Sequence, residues 1–332
     1  MKKRILILSI ILILSGLMQA QAVTLKLASL LPEGSEWDRA LKDMASDWRE
    51  ISEGKVRLRI YPGGIAGGES DVVRKMRIGQ IDMAVMTSIG ITTIYPDVFA
   101  MSMPFLLQSE EELDFVIEEV TAEFDEGIRD KGFIVLAWSK TGWVNIFADE
   151  KVITPADLAS IKFAGSVTQP GISEAFKKMG FNVIPVDTPD VLMGLQSGMV
   201  NSFYAAPMAA ASYQWFGLAQ HMLDMKISPV IGGIVITERA WRKISDKYKE
   251  ELIASAKEMA GYFYEEAVVL EEKALNVMLD NGLTVHTTTD EVKKEWRALM
   301  GEDFSVMVGE DGFVSKESFE TVESMLEEFR SQ

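Results

Sequence analysis

Residues 154–207 read TPADLASIKFAGSVTQPGISEAFKKMGFNVIPVDTPDVLMGLQSGMVNSFYAAP. Thr154 is placed to cap a short helix, with Pro155 at its first position and Asp157 in its first turn. An apolar strand, Ile161–Ala164, follows. The pattern then predicts a helix over Gly171–Met179, a strand over Phe181–Pro185, a helix opened by Thr188-Pro189 and a strand over Asn201–Ala205. Strands and helices alternating through short turns make a parallel α/β lobe.

Toward the N-terminus the alternation continues. A strand over Thr24–Ser29, a helix over Trp37–Ile51 and a strand over Val56–Tyr61 form an opening βαβ unit, the helix marked by Leu41, Met44, Ala45 and Trp48 at helical spacing. The turn Pro62–Gly68 is glycine-rich, but no Lys-Ser/Thr pair follows at the offset that a phosphate loop needs. A helix over Asp71–Ile78 and a strand over Asp82–Thr87 come next. Thr87 and Ser88 end that strand, where open α/β sheets bind ligands. A helix over Glu110–Ile128 precedes a strand over Phe133–Ser139. Glu110–Glu112 read as a solvated helix start favoured by the dipole, and Glu265-Glu266 and Glu271-Glu272 as solvated faces.

Downstream, Ala209–Leu218 is helical, His221–Lys226 and Val230–Thr237 are strands, and Glu238–Lys243 is a short helix. From Asp246 onward Leu252, Ala256, Met259, Phe263, Ala267, Leu270, Ala274 and Met278 recur every three or four residues, until Asn281-Gly282 stops the pattern. One helix over 246–281 would be ~50 Å long, enough to brace two lobes; a break near Gly261 is the alternative. Helices over Asp290–Val308 and Ser315–Phe329 complete the second lobe. Lobe I is then 23–147 plus about 230–262, and lobe II 148–229 plus about 283–332.

The 332 residues suffice for two cores, and 48% hydrophobic with 25% charged residues is a globular composition. There is no cysteine, which excludes disulfides, thiol catalysis and cysteine-held metals. Lys2-Lys3-Arg4, the apolar run Ile5–Leu14 and Ala20-Gln21-Ala22 read as a signal peptide, residues 1–22, cut after Ala22. Its removal makes the formal charge of −17 more negative by three. A chain this acidic is not held by nucleic acid or anionic lipid.

The order of these pieces resembles the substrate-binding subunits of tripartite ATP-independent periplasmic (TRAP) transporters, the DctP family. The family's D-L-x-G-L-K-I-R-V-P, "LGA" and A-L-Q-x-G-V-V-D-G segments are matched by Asp157-Leu158 with Ile161-Lys162-Phe163, by Met179-Gly180-Phe181, and by Gly194 to Asn201. YPGGIAGGES, from Tyr61, and Met103-Pro104-Phe105-Leu106-Leu107 match two more. The resemblance implies a two-lobed, type II-like periplasmic-binding-protein fold with a ligand cleft between the lobes and a long bracing helix. It implies a periplasmic protein that captures a small ligand by closing, then docks on ion-gradient-driven membrane subunits, with no cofactor. A periplasmic helical-repeat partner is a further expectation. At the two arginines with which the family holds carboxylates, this chain has Ala164 and Val144. The ligand expected is therefore apolar, neutral or amphiphilic; an organic acid anchored by Lys140 is the alternative.

Strand ends and lobe crossings supply the candidate ligand-binding residues: Trp37, Thr87, Ser88, Phe105, Trp138, Lys140, Trp143, Val144, Phe163, Ala164, Phe203 and Tyr204. Catalysis needs positioned acids, bases or nucleophiles. His221 and His286, the only histidines, have no metal-ligand spacing, and neither G-x-S-x-G nor S-x-x-K with its partner motifs occurs. A binding protein, not an enzyme, is expected. A secreted enzyme on the same scaffold, or a module acting through a protein partner, are the competing classes.

Overall fold

The computed structural model of the protein describes residues 22–301, 304–310 and 312–331; the expected leader, apart from Ala22, lies outside them. Eleven strands form two sheets: β1 (Val23–Ser29), β2 (Val56–Tyr61), β3 (Met83–Thr87), β4 (Phe133–Trp143), β5 (Asn145–Ala148), β6 (Lys162–Ser166), β7 (Asn182–Val186), β8 (Ser202–Ala205), β9 (His221–Leu223), β10 (Pro229–Thr237) and β11 (Thr284–His286). One sheet has the order β2-β1-β3-β10-β4, the other β11-β9-β5-β8-β6-β7. In the first, β2, β1 and β3 run parallel, while β10 is antiparallel to both of its neighbours. The second is parallel through β7, β6 and β8 and antiparallel at β5. The stretch 154–207 is thus parallel as expected, and the antiparallel β5 makes the six-stranded sheet as a whole a mixed one.

Local chemistry sets the elements. Ser35 caps the helix Glu36–Ile51, which buries Trp37, Leu41, Met44 and Trp48. Thr154 and Asp157 form a full capping box on Pro155–Ala159. Beyond it come the helix Pro170–Lys178, whose Ile172 and Phe176 share a core with Phe163 and Val183, and the short helix Val191–Gln196, whose Val191 and Leu195 share another with Ala164, Val186 and Phe203.

The chain crosses between the sheets at Val144, which joins β4 to β5, and again over 224–228, which joins β9 to β10. The two crossings hold each other. The Val144 N–H donates to the Ser228 carbonyl at 2.8 Å, and the Ile227 N–H donates to the Val144 carbonyl at 3.0 Å.

The single helix expected over 246–281 is two helices, Asp246–Glu265 and Ala267–Asp280, meeting at Glu266. The first packs on β4 and Glu36–Ile51, the second on the helix Pro207–Ser212 of the other lobe. Phe263, Ala267 and Leu270 stay buried through the bend. The apolar phase is thus preserved while the axis changes direction, so periodicity registers one helix. The C-terminal assignment also changes. The helix Asp290–Met300 does join the six-stranded side, with the Trp296 indole donating to the Ile153 carbonyl at 2.8 Å. The last helix, Lys316–Ser331, instead packs on Glu110–Asp130 and Pro96–Ser102, beside the five-stranded sheet. Arg330 anchors it there through Glu112 at 2.8 Å.

Candidate ligand cavity

A cavity of about 300 Å³ lies between the sheets, at the crossings. Its size is at the low end for small-molecule pockets, ~300–1,000 Å³. From the five-stranded side come Trp37, Glu69, Thr87, Ser88, Ser139 and Phe263; from the other come Phe163, Ala164, Phe203, Tyr204, Tyr213 and Trp215. Val144 and Ser228 line it from the crossings themselves.

Each wall has a local cause. The Trp37 ring lies flat on Phe263, centroids 3.6 Å apart and planes 3° apart. Its indole N–H points across the cavity to the Met208 sulfur at 3.2 Å. Phe203 stacks on Phe147 at 5.1 Å and meets Trp215 edge-on at 5.1 Å. Ala164 sits mid-strand in β6, opposite Ile184 of β7. The Tyr213 hydroxyl closes one side by donating to the Leu30 carbonyl at 2.6 Å. Burial pushes the Tyr204 phenol up to about 12. Tyr213 is raised further, by burial and then by the nearby Glu69 charge.

Of the sequence candidates, Trp37, Thr87, Ser88, Val144, Phe163, Ala164, Phe203 and Tyr204 line this space. Phe105, Trp138, Lys140 and Trp143 do not. Side chains alternate across a strand, and on β4 it is Ser139 that faces the cavity. Trp138 and Lys140 therefore turn to the other face, toward the helix Glu110–Asp130. There the Trp138 indole donates to Asp125 at 2.9 Å. Lys140 is held by Asp114 at 2.6 Å and Glu110 at 3.1 Å, with the Tyr264 ring 4.1 Å away. Trp143 is buried and donates to Glu110. Phe105 contributes backbone: at φ 58° its N–H donates to the Ile227 carbonyl at 2.6 Å.

Two runs of acids are not the solvated faces expected. Glu110 binds Lys140 and Trp143, and Glu112 binds Arg330. Glu271 is pushed up to about 7 by burial, against the pull of Lys226. The two histidines meet away from the cavity, at the β9–β11 edge, with ring nitrogens 2.8 Å apart.

The residue missed was Glu69. It opens the helix Glu69–Arg77, two residues before the expected start, and is 5% exposed. One carboxylate oxygen accepts from the Thr87 N–H at 2.6 Å, the other from the Thr87 hydroxyl at 2.8 Å. Burial nevertheless lifts it to about 7. It is the only Asp, Glu, Lys, Arg or His lining the cavity among the described residues. An acid directly after Gly67-Gly68, at the C-terminal edge of a sheet, was the available signal.

The model of the DctP family, described as bacterial extracellular solute-binding protein, family 7, matches residues 27–310. The chain belongs to this family. Among DctP relatives, a solute-binding protein of Chromohalobacter salexigens is 22% identical over 283 residues, covering 82% of this chain and 81% of that one. The 2,3-diketo-L-gulonate-binding periplasmic protein YiaO of Escherichia coli is 24% identical over 247 residues, 73% and 74% of the two chains. The sugar acid binding protein DctPAm from Advenella mimigardefordensis, solved in complex with galactonate, superimposes with a TM-score of 0.84 at 17% identity, covering 93% of this chain and 99% of that one. The two-lobed DctP fold and a solute-binding role for small ligands are thereby shared. Among the described residues no helix is long and apolar enough to cross a membrane.

Proposed function

We propose that this protein is an exported, periplasmic solute-binding subunit that traps its ligand between the lobes and delivers it to the membrane subunits of an ion-gradient-driven TRAP transporter. It acts by binding, with no catalytic step. The ligand is mainly apolar, neutral or amphiphilic. The observation that carries this is the cavity lining: aromatic and aliphatic walls, several hydroxyls, one acid and no base among the described residues.

The carboxylates named for YiaO and DctPAm are poor candidates here. A carboxylate beside Ala164, Val144 and Phe163 loses its water without gaining a cation. Lacking such a partner in a cleft costs ~2–5 kcal/mol. Lys140 does not supply it, being tied to Glu110 and Asp114 outside the cavity. Nothing in the fold supports a helical-repeat partner.

Two measurements test this. Mass spectrometry of what co-purifies with the exported protein identifies the ligand class. Calorimetric titration with galactonate and glucuronate should give no heat of binding, and micromolar affinity for either would overturn the ligand assignment.

A further inference from the structure

The polar corner of the cavity has one sign of charge. Glu69, Thr87, Ser88 and Ser102 converge there, and the Ser102 hydroxyl donates to that of Ser88 at 3.1 Å. Thr87 engages both oxygens of Glu69. A carboxylate has about four acceptor sites, so these bonds leave it capacity for another donor. A second carboxylate, Asp187, adds negative potential and raises Glu69 in turn. One Asp187 oxygen is buried without a hydrogen-bond partner. Tyr213 faces the same corner and feels the charge of Glu69. No lysine, arginine or histidine lines the cavity among the described residues. The whole chain carries a formal charge of −17, which draws cations toward a cleft and repels anions.

We propose that Glu69 is the recognition residue for an ammonium-type head on an otherwise apolar ligand: a primary amine or amidine whose body lies on Trp37, Phe163, Phe203 and Trp215. This rests on the proposal above that the cavity is the ligand site. The cation supplies what the corner lacks. It donates to Glu69, offsets the desolvation that burial imposes on that carboxylate, and leaves the aromatic walls to the apolar body. A charge-assisted bond of this kind is about twice as strong as a neutral one.

The test is a matched series on the purified protein, read by tryptophan fluorescence and calorimetry at pH 8: 4-phenylbutylamine, 4-phenylbutanol and 4-phenylbutyrate. The expected order is amine first, by tenfold or more over the alcohol, with the carboxylate weakest. Glu69→Gln should collapse the amine-to-alcohol ratio to about one, and measurable alcohol binding shows that the variant is folded. If alcohol and amine bind equally to the wild type, the role of Glu69 fails while the apolar cavity stands. If the amine's advantage survives in Glu69→Gln, the cation is held elsewhere and the proposal fails. If the carboxylate binds best, or none of the three binds, the cavity assignment fails with it.

Discussion

Replacing Lys140 by methionine separates a structural role from a ligand-binding one. The ammonium is buried, its side chain 7% exposed, and it bonds Asp114 at 2.6 Å and Glu110 at 3.1 Å. A hydrogen bond to a charged group contributes ~1.5–3 kcal/mol. Asp114 is 43% exposed, so water recovers part of that loss. The Tyr264 ring, 4.1 Å from the ammonium, adds ~0.5–2 kcal/mol. Methionine keeps the length of the apolar stem and removes the need to bury a charge, which offsets some of the sum. The net expected loss is about 2–4 kcal/mol, or roughly 5–10 °C of melting temperature. Differential scanning calorimetry reads the first quantity, and titration with a neutral probe such as 4-phenylbutanol the second. Melting should fall, with probe affinity held within twofold. An unchanged melting temperature with binding lost tenfold would refute the reasoning and return Lys140 to the ligand.

Burial, with the Glu110 charge, pushes the Glu271 carboxyl up to about 7 from its ordinary 4.5, against the pull of Lys226 and the Trp143 backbone N–H. The native state keeps a proton that the unfolded chain has lost, so this residue's stability is present at low pH and falls as pH rises from about 4.5 through 7. Glu271→Gln should match the wild type near pH 4.5 in denaturant melts and exceed it by about 1–3 kcal/mol above pH 7; a constant difference would contradict the assignment. Ala267 is the first residue of its helix, a position that tolerates proline. Ala267→Pro should therefore lower the melting temperature less than half as far as Ala256→Pro, inside the first helix, where the cost is ~3 kcal/mol or more; equal losses would mean one continuous helix in solution. Ala164→Arg places a cation on the cavity wall and should confer binding of galactonate, with none expected for the wild type. A variant that folds, by circular dichroism, without gaining that binding would show that the absent arginine is not what bars acids.

Elements whose cause is local could be read from the chain. The capping box at Thr154 needs only residues 153–157, and β2 begins and ends where its alternation does. What failed depends on which neighbour arrives. The chain marks a last helix over 315–329, and a helix stands there; the pattern does not say against which lobe its buried residues Phe319, Val322 and Leu326 pack. Trp138 and Trp143 carry the marks of a binding wall, large and aromatic near a crossing, but the pleat of β4 sends Trp138 to Asp125, and Trp143 ends at Glu110. Glu69 escaped for the opposite reason. A lone acid after two glycines resembles any helix start, and only the fold brings Thr87 to it from 18 residues away.

The cavity touches the pivots as well as the lobes. Val144 and Ser228 line it while bonding each other's segments, and Phe263 lines it three residues before the bend at Glu266. On the proposed trapping between the lobes, a ligand seated there would contact both sheets and the segments that connect them, and its differential affinity for the closed arrangement would shift the opening equilibrium. With apolar walls, that difference comes mainly from surface withdrawn from water, at ~25 cal/mol per Å². Binding should therefore carry a negative heat capacity change, largest for ligands that reach both Trp37 and Phe203. Glu69 adds little to that term because a polar contact buries little apolar area. The two contributions are thus separable by experiment: heat capacity follows the length of the apolar body, and the advantage of amine over alcohol follows Glu69.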